Sequence, residues 1–107
     1  MNRKRTLFPL FLIITLLGAC GERGAESPAE ALAAVCREFD CLSVADCVTS
    51  LGGVPLEVEG WGLDAVYSGS QKCLSCVPGL SPVALSERAW ARIEAREAPP
   101  QSWFLDF

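Results

Sequence analysis

Cys73-Leu74-Ser75-Cys76 is the stretch of this chain whose residue types and spacing could most directly do chemistry. Two thiols so placed can close a small redox-active disulfide when a following helix start stabilises one thiolate. Val77 and Pro78 follow at once and delay any helix, which removes that stabilisation. Cys36, Cys41 and Cys47 offer a second chemistry, a four-thiolate zinc site made by two of them together with Cys73 and Cys76. Structural zinc sites are usually built from two tight pairs, and these three are instead spread along the chain. The spacing therefore favours structural bridges among Cys36, Cys41, Cys47, Cys73 and Cys76 over catalysis or metal binding.

The rest of the composition narrows the options further. Histidine is absent, which excludes serine–histidine machinery and His-containing metal sites. Asp40, Asp46 and Asp64 lack the alternation and glycine turn of a calcium loop, and Gly52-Gly53 and Gly60-Trp61-Gly62 lack the flanks of a phosphate loop. Glu57 and Glu59 read as solvent-facing. Arg23, Arg37, Lys72, Arg88, Arg92 and Arg96 are scattered singly, with no basic stripe for a nucleic acid. No catalytic residue, metal ligand or cofactor is expected from these patterns.

The elements that must position the thiols can be read from capping and periodicity. Ser27-Pro28-Ala29-Glu30 combines a capping box with proline at the first helical position, predicting a helix from Pro28 to Phe39. Its apolar stripe is Leu32, Val35, Cys36 and Phe39. Ser43 to Asp46 repeats the capping pattern, so a short helix is expected from Val44 to Leu51, ended by Gly52-Gly53. Val54, Leu56 and Val58 alternate with polar positions as in a strand, and Leu63 to Tyr67 would return beside it. Ser81-Pro82 starts a last helix running to about Glu97, before Pro99-Pro100. The expected fold is a small α+β domain supported by disulfides, with a helical hairpin, a short β-hairpin and a C-terminal helix. The apolar end, Trp103 to Phe107, is expected to dock on the core.

The beginning of the chain carries a different kind of signal. Arg3, Lys4 and Arg5 precede an apolar run of eleven residues, Leu7 to Leu17, too short to span a bilayer. The run closes on Leu17-Gly18-Ala19-Cys20, which resembles the lipobox of bacterial lipoprotein precursors. That resemblance implies removal of residues 1–19, acylation of Cys20, a flexible tether over 20–27 and a small cysteine-containing domain over 28–107. The implied location is the cell envelope, with lipid anchoring and, from Gly21, the outer membrane of a Gram-negative cell. Its implied partners are membrane lipid through Cys20 and an envelope protein, with no nucleic acid.

Without residues 1–19, thirteen acids face six bases, a net charge of −7. Export would place the remaining thiols where disulfides persist, with Cys36, on the predicted inner face, as the candidate for the unpaired one. The implied function is a non-enzymatic binding, assembly or surface-interaction module. A thiol–disulfide redox protein using Cys73 and Cys76 and a cysteine-rich zinc-binding lipoprotein are the alternatives.

Overall fold

The computed structural model describes residues 11–15 and 27–102. In chain order its elements are β1 (Phe11–Thr15), α1 (Pro28–Glu38), β2 (Leu42–Asp46), β3 (Ala65–Tyr67), β4 (Val83–Leu85) and α2 (Glu87–Glu94). The strands form one sheet in the order β1-β2-β3-β4. β1 pairs parallel with β2, β2 pairs parallel with β3, and β4 closes the edge antiparallel to β3. Cys20, the tether as far as residue 26, and Trp103 to Phe107 lie outside the described residues.

α1 begins where the capping signal puts it. The Ser27 hydroxyl accepts from Ala29 N–H at 3.3 Å, and Pro28 takes a first-turn position that has no intrahelical donor to lose. The buried side of α1 differs from the predicted stripe. Ala29, Ala33 and Cys36 are buried, whereas Leu32, Val35 and Phe39 are 39%, 46% and 68% exposed. Small residues let the helix lie close to the sheet, so the larger side chains turn outward. The core joins Ala29 and Ala33 to Ala45, Cys47, Leu63 and Val66, with Leu51, Leu56, Val58 and Trp61 packed around them.

Four sequence expectations are corrected by the sheet. Part of the apolar run read as an export signal, Phe11–Thr15, is a strand hydrogen-bonded to β2. A short apolar run carries the same signature whether it is a signal core or a strand buried in a parallel sheet. The expected helix from Val44 is instead β2, with no helical hairpin, because Ser43 turns its hydroxyl to Asp64 rather than capping. The expected β-hairpin is absent: Val54 makes only an isolated bridge to Leu51, residues 55–57 are irregular before a turn that begins at 58, and β3 pairs with β2 and β4. The last helix starts later, with Ser86 as its cap, because Ser81 donates to Ser68 O at 2.8 Å and Pro82 leads into β4.

The disulfide support is corrected as well. Cys36, Cys41, Cys47, Cys73 and Cys76 are all free, the first three buried and the last two exposed. Burial pushes the Cys36 and Cys47 thiols above their ordinary range.

Candidate active site at the carboxyl ends of the parallel strands

β2 and β3 run parallel and finish level with each other, with Asp46 paired in register to Tyr67. Side chains opposite one another in a parallel pair share a face, so these two polar groups meet at the carboxyl edge of the sheet. That edge is where open α/β sheets bind ligands. The preceding pair, Ala45 and Val66, is buried in the core, which leaves Asp46 and Tyr67 on the other face, both half-buried.

Asp46 is held by the loop that follows it. Its Oδ1 accepts from Val48 N–H at 3.0 Å. The neighbouring Asp46 carboxylate, reinforced by burial, holds the Tyr67 phenol above its ordinary range. Val48 lies in the loop leaving β2, so Asp46 is fixed by its own strand exit.

The chain leaving β3 is pinned on both sides before it reaches Lys72. The Ser68 hydroxyl donates to Cys47 O at 3.1 Å, tying it to the exit of β2. Ser68 N–H donates to Pro82 O at 3.0 Å and Ser70 N–H to Leu80 O at 3.1 Å, extending the pairing of β3 with β4. The Ser70 hydroxyl donates to Val77 O at 2.6 Å. Lys72 then opens a tight turn in which its carbonyl accepts from Ser75 N–H at 2.9 Å. Ser75 completes that turn at a φ of 55°.

The turn is locked against the loop that follows Asp46. Cys73 Sγ donates to Thr49 O at 3.1 Å, and a Cβ on Gly53 would stand 2.8 Å from that sulfur. Gly52 adopts a φ of 86°, open to glycine and strained for other residues. These glycines therefore permit close approach of two loops rather than ending a helix.

The predicted site residues are distributed differently from the expectation. Cys73 and Cys76 lie on this turn, both exposed, and Cys76 Sγ donates to Leu74 O at 3.3 Å. No helix begins there to activate a thiolate. Among the described residues, no group of three or more Cys, Asp or Glu side chains could hold a metal, which corrects the zinc alternative. A cleft of about 610 Å³ lies at the other end of β3, lined in part by Arg37, Glu59, Ser86 and Arg88.

An exposed lysine on a braced turn beyond one parallel strand, with a half-buried carboxylate ending the next, is an arrangement suited to holding an organic cofactor. The chain belongs to the aminotransferase class-V family, which it matches over residues 11–97. It is similar to alanine–glyoxylate aminotransferase of Oryctolagus cuniculus, at 39% identity over 83 residues, 78% of this chain and 21% of that protein. Among solved structures, alanine–glyoxylate aminotransferase from Nostoc sp. shares 43% identity with a TM-score of 0.75, covering 90% of this chain and 25% of that one. Ureidoglycine–glyoxylate aminotransferase from Bacillus subtilis shares 34% identity with a TM-score of 0.74, covering 90% and 24%. The chain thus spans between a fifth and a quarter of the length of these relatives.

Membership of an enzyme family overturns the reading of a non-enzymatic binding module. It equally replaces the lipoprotein assignment, the thiol–disulfide and zinc alternatives, and the absence of a recognised family beyond the leader. The match starts at residue 11, inside the apolar run on which the lipobox resemblance rested. Acyl lipid on Cys20, an envelope partner and an outer-membrane location lose their basis with it.

Asp46, Tyr67 and Lys72 are the residues that sequence reasoning passed over. Lys72 did leave a trace: it is the chain's one lysine beyond the N-terminal basic cluster.

Proposed function

We propose that this chain supplies the lysine-bearing part of a pyridoxal-phosphate-dependent aminotransferase, with Lys72 as the residue that holds the cofactor covalently and Asp46 as the partner of its ring nitrogen. The observation that carries this reading is the placement of Lys72 on a braced turn beyond β3 while Asp46 ends the adjacent parallel strand. The donor set fits the group. A primary amine can take the cofactor's carbonyl carbon, and a carboxylate can hold a protonated ring nitrogen.

When bound, the cofactor supplies an electron sink for the carbanion formed at an amino acid's α-carbon. The protein's part is to fix the geometry. The Ser75 N–H bond to the Lys72 carbonyl and the Cys73 bond to Thr49 O set where the amine starts from. Val48 N–H fixes the Asp46 carboxylate at the end of the adjacent strand. The relatives' names support a small amino acid as donor and glyoxylate, the smallest 2-oxo acid aldehyde, as acceptor.

The test is covalent capture. The full chain is incubated with pyridoxal phosphate, reduced with borohydride and mapped by peptide mass spectrometry. The expected adduct is on Lys72, and Lys72→Ala should abolish it. Absence of an adduct, or capture independent of Lys72, overturns the proposal.

A further inference from the structure

We infer that Ser70 is a positioning residue for Lys72, its buried hydroxyl fixing the loop that closes the turn on which the lysine sits. The inference rests on the function proposed above and adds to it a residue that acts through Lys72. Ser70 stands two residues before the lysine and is 4% exposed. Its N–H donates to Leu80 O at 3.1 Å and its carbonyl accepts from Cys76 N–H at 2.9 Å, so the two sides of the neck below the turn are joined at this one residue. Residues 71–75, Lys72 among them, form the loop that the neck closes.

The hydroxyl takes over a bond that the next loop could make for itself. Val77 to Leu80 bend at Pro78-Gly79, and a tight turn of four residues often bonds its first carbonyl to its last N–H. Here both groups go to Ser70 instead: its hydroxyl donates to Val77 O at 2.6 Å and accepts from Leu80 N–H at 3.4 Å. Donating and accepting at one atom is within a hydroxyl's capacity and beyond an alanine methyl's. Without the hydroxyl, Val77 O and Leu80 N–H are left to bond each other, which draws the loop shut. Cys76 precedes Val77 directly, so the neck moves with the loop and carries the Lys72 turn along. The fold keeps its hydrogen bonds, and the consequence falls on where the amine stands.

The test compares Ser70→Ala, Ser70→Thr and Ser70→Val with the parent on the full chain, by timed borohydride trapping of pyridoxal phosphate. Ser70→Ala should keep the far-ultraviolet circular dichroism of the fold and a cooperative urea transition near the parent's. It should still carry the adduct on Lys72, formed about tenfold more slowly, as expected for a small displacement of a reacting group. The visible circular dichroism of the bound cofactor should fall as well. Threonine keeps the hydroxyl and valine has the same shape without it. Ser70→Thr should therefore retain most of the capture rate and Ser70→Val should lose it, a split that a packing role would not produce.

Unchanged capture rate and visible dichroism in Ser70→Ala would overturn the positioning role, and so would equal rates in Ser70→Thr and Ser70→Val. Slowing that only follows a fall in the urea midpoint would overturn it too, leaving Ser70 a purely structural residue. Failure of the parent chain to form the Lys72 adduct would overturn the proposed function, and this role with it. Hydrogen exchange across residues 76–80, altered in Ser70→Ala and unaltered in Ser70→Thr, would in that case still show the hydroxyl's hold on the loop.

Discussion

Arg88 Nη1 donates to Asp64 Oδ2 at 2.7 Å, joining a residue of α2 to a carboxylate that is 1% exposed at the entry to β3. The same carboxylate accepts from Ser43 N–H at 2.9 Å and from the Ser86 hydroxyl at 3.1 Å, so one side chain links β2, β3 and the cap of α2. Removing the arginine leaves a buried charge served only by neutral donors. Arg88→Met is expected to destabilise the fold by about 3 kcal/mol, read from urea unfolding with an unchanged slope. A loss under about 1 kcal/mol would show that the pair behaves as an exposed one.

Gly53 sets the distance between the loop after Asp46 and the turn bearing Lys72. An alanine there would bring its methyl to 2.8 Å from Cys73 Sγ, closer than real contacts allow. Gly53→Ala is expected to cost about 1–3 kcal/mol and to slow capture of pyridoxal phosphate on Lys72. Cys73→Ala in the same chain should restore most of both losses. Equal losses in the single and double variants would place the clash elsewhere.

Asp40 gives the fold a shallow dependence on acid. The Arg92 hydrogen bond, at 2.5 Å, and then the Arg88 bond, at 3.3 Å, hold its carboxyl below the usual range. A lowered folded value means that the contribution is complete above the unfolded value of about 3.9 and fades as pH falls through the folded one. The stability difference between the parent and Asp40→Asn should therefore be present at neutral pH and vanish in strong acid. Asparagine keeps the short polar side chain that tolerates the φ of 53° at this position. Because Asp40 is exposed, added salt should shrink the difference too. A difference that persists through the acid range would disconnect it from this carboxylate.

Thiol reactivity should divide the described cysteines into two sets. Cys73 and Cys76 are exposed, whereas Cys36, Cys41 and Cys47 are buried. Brief iodoacetamide treatment of native protein, mapped by peptide mass, is expected to mark Cys73 and Cys76, with the other three marked only after unfolding. Early labelling of Cys47 would contradict its place in the core.

What could be read from the sequence was decided locally. Ser27-Pro28 writes the start of α1 into four residues, because capping needs only neighbours. Ser43 to Asp46 carries much the same lettering yet becomes β2, since β1 and β3 supply partners on both sides. Pairing between strands distant in sequence outweighs a local capping preference. Phe11–Thr15 was misread because a short apolar run fits either a signal core or a buried parallel strand.

The candidate site was the least legible part. Asp46 and Lys72 gain their meaning from ending up at one sheet edge, and no spacing rule joins them. The CxxC pattern drew attention to the right turn for the wrong reason: Cys73 anchors it through Thr49, and the chemistry falls to the lysine just before.

The level finish of β2 and β3 makes the site a check on assembly. Sliding one strand past the other by a single residue would send Tyr67 to the opposite face, away from Asp46. Only the correctly aligned chain would then offer both anchors to a ligand, so ligand supply would enrich that alignment by mass action. Cofactor availability would in this way govern how much of the chain is correctly folded as well as how much is active.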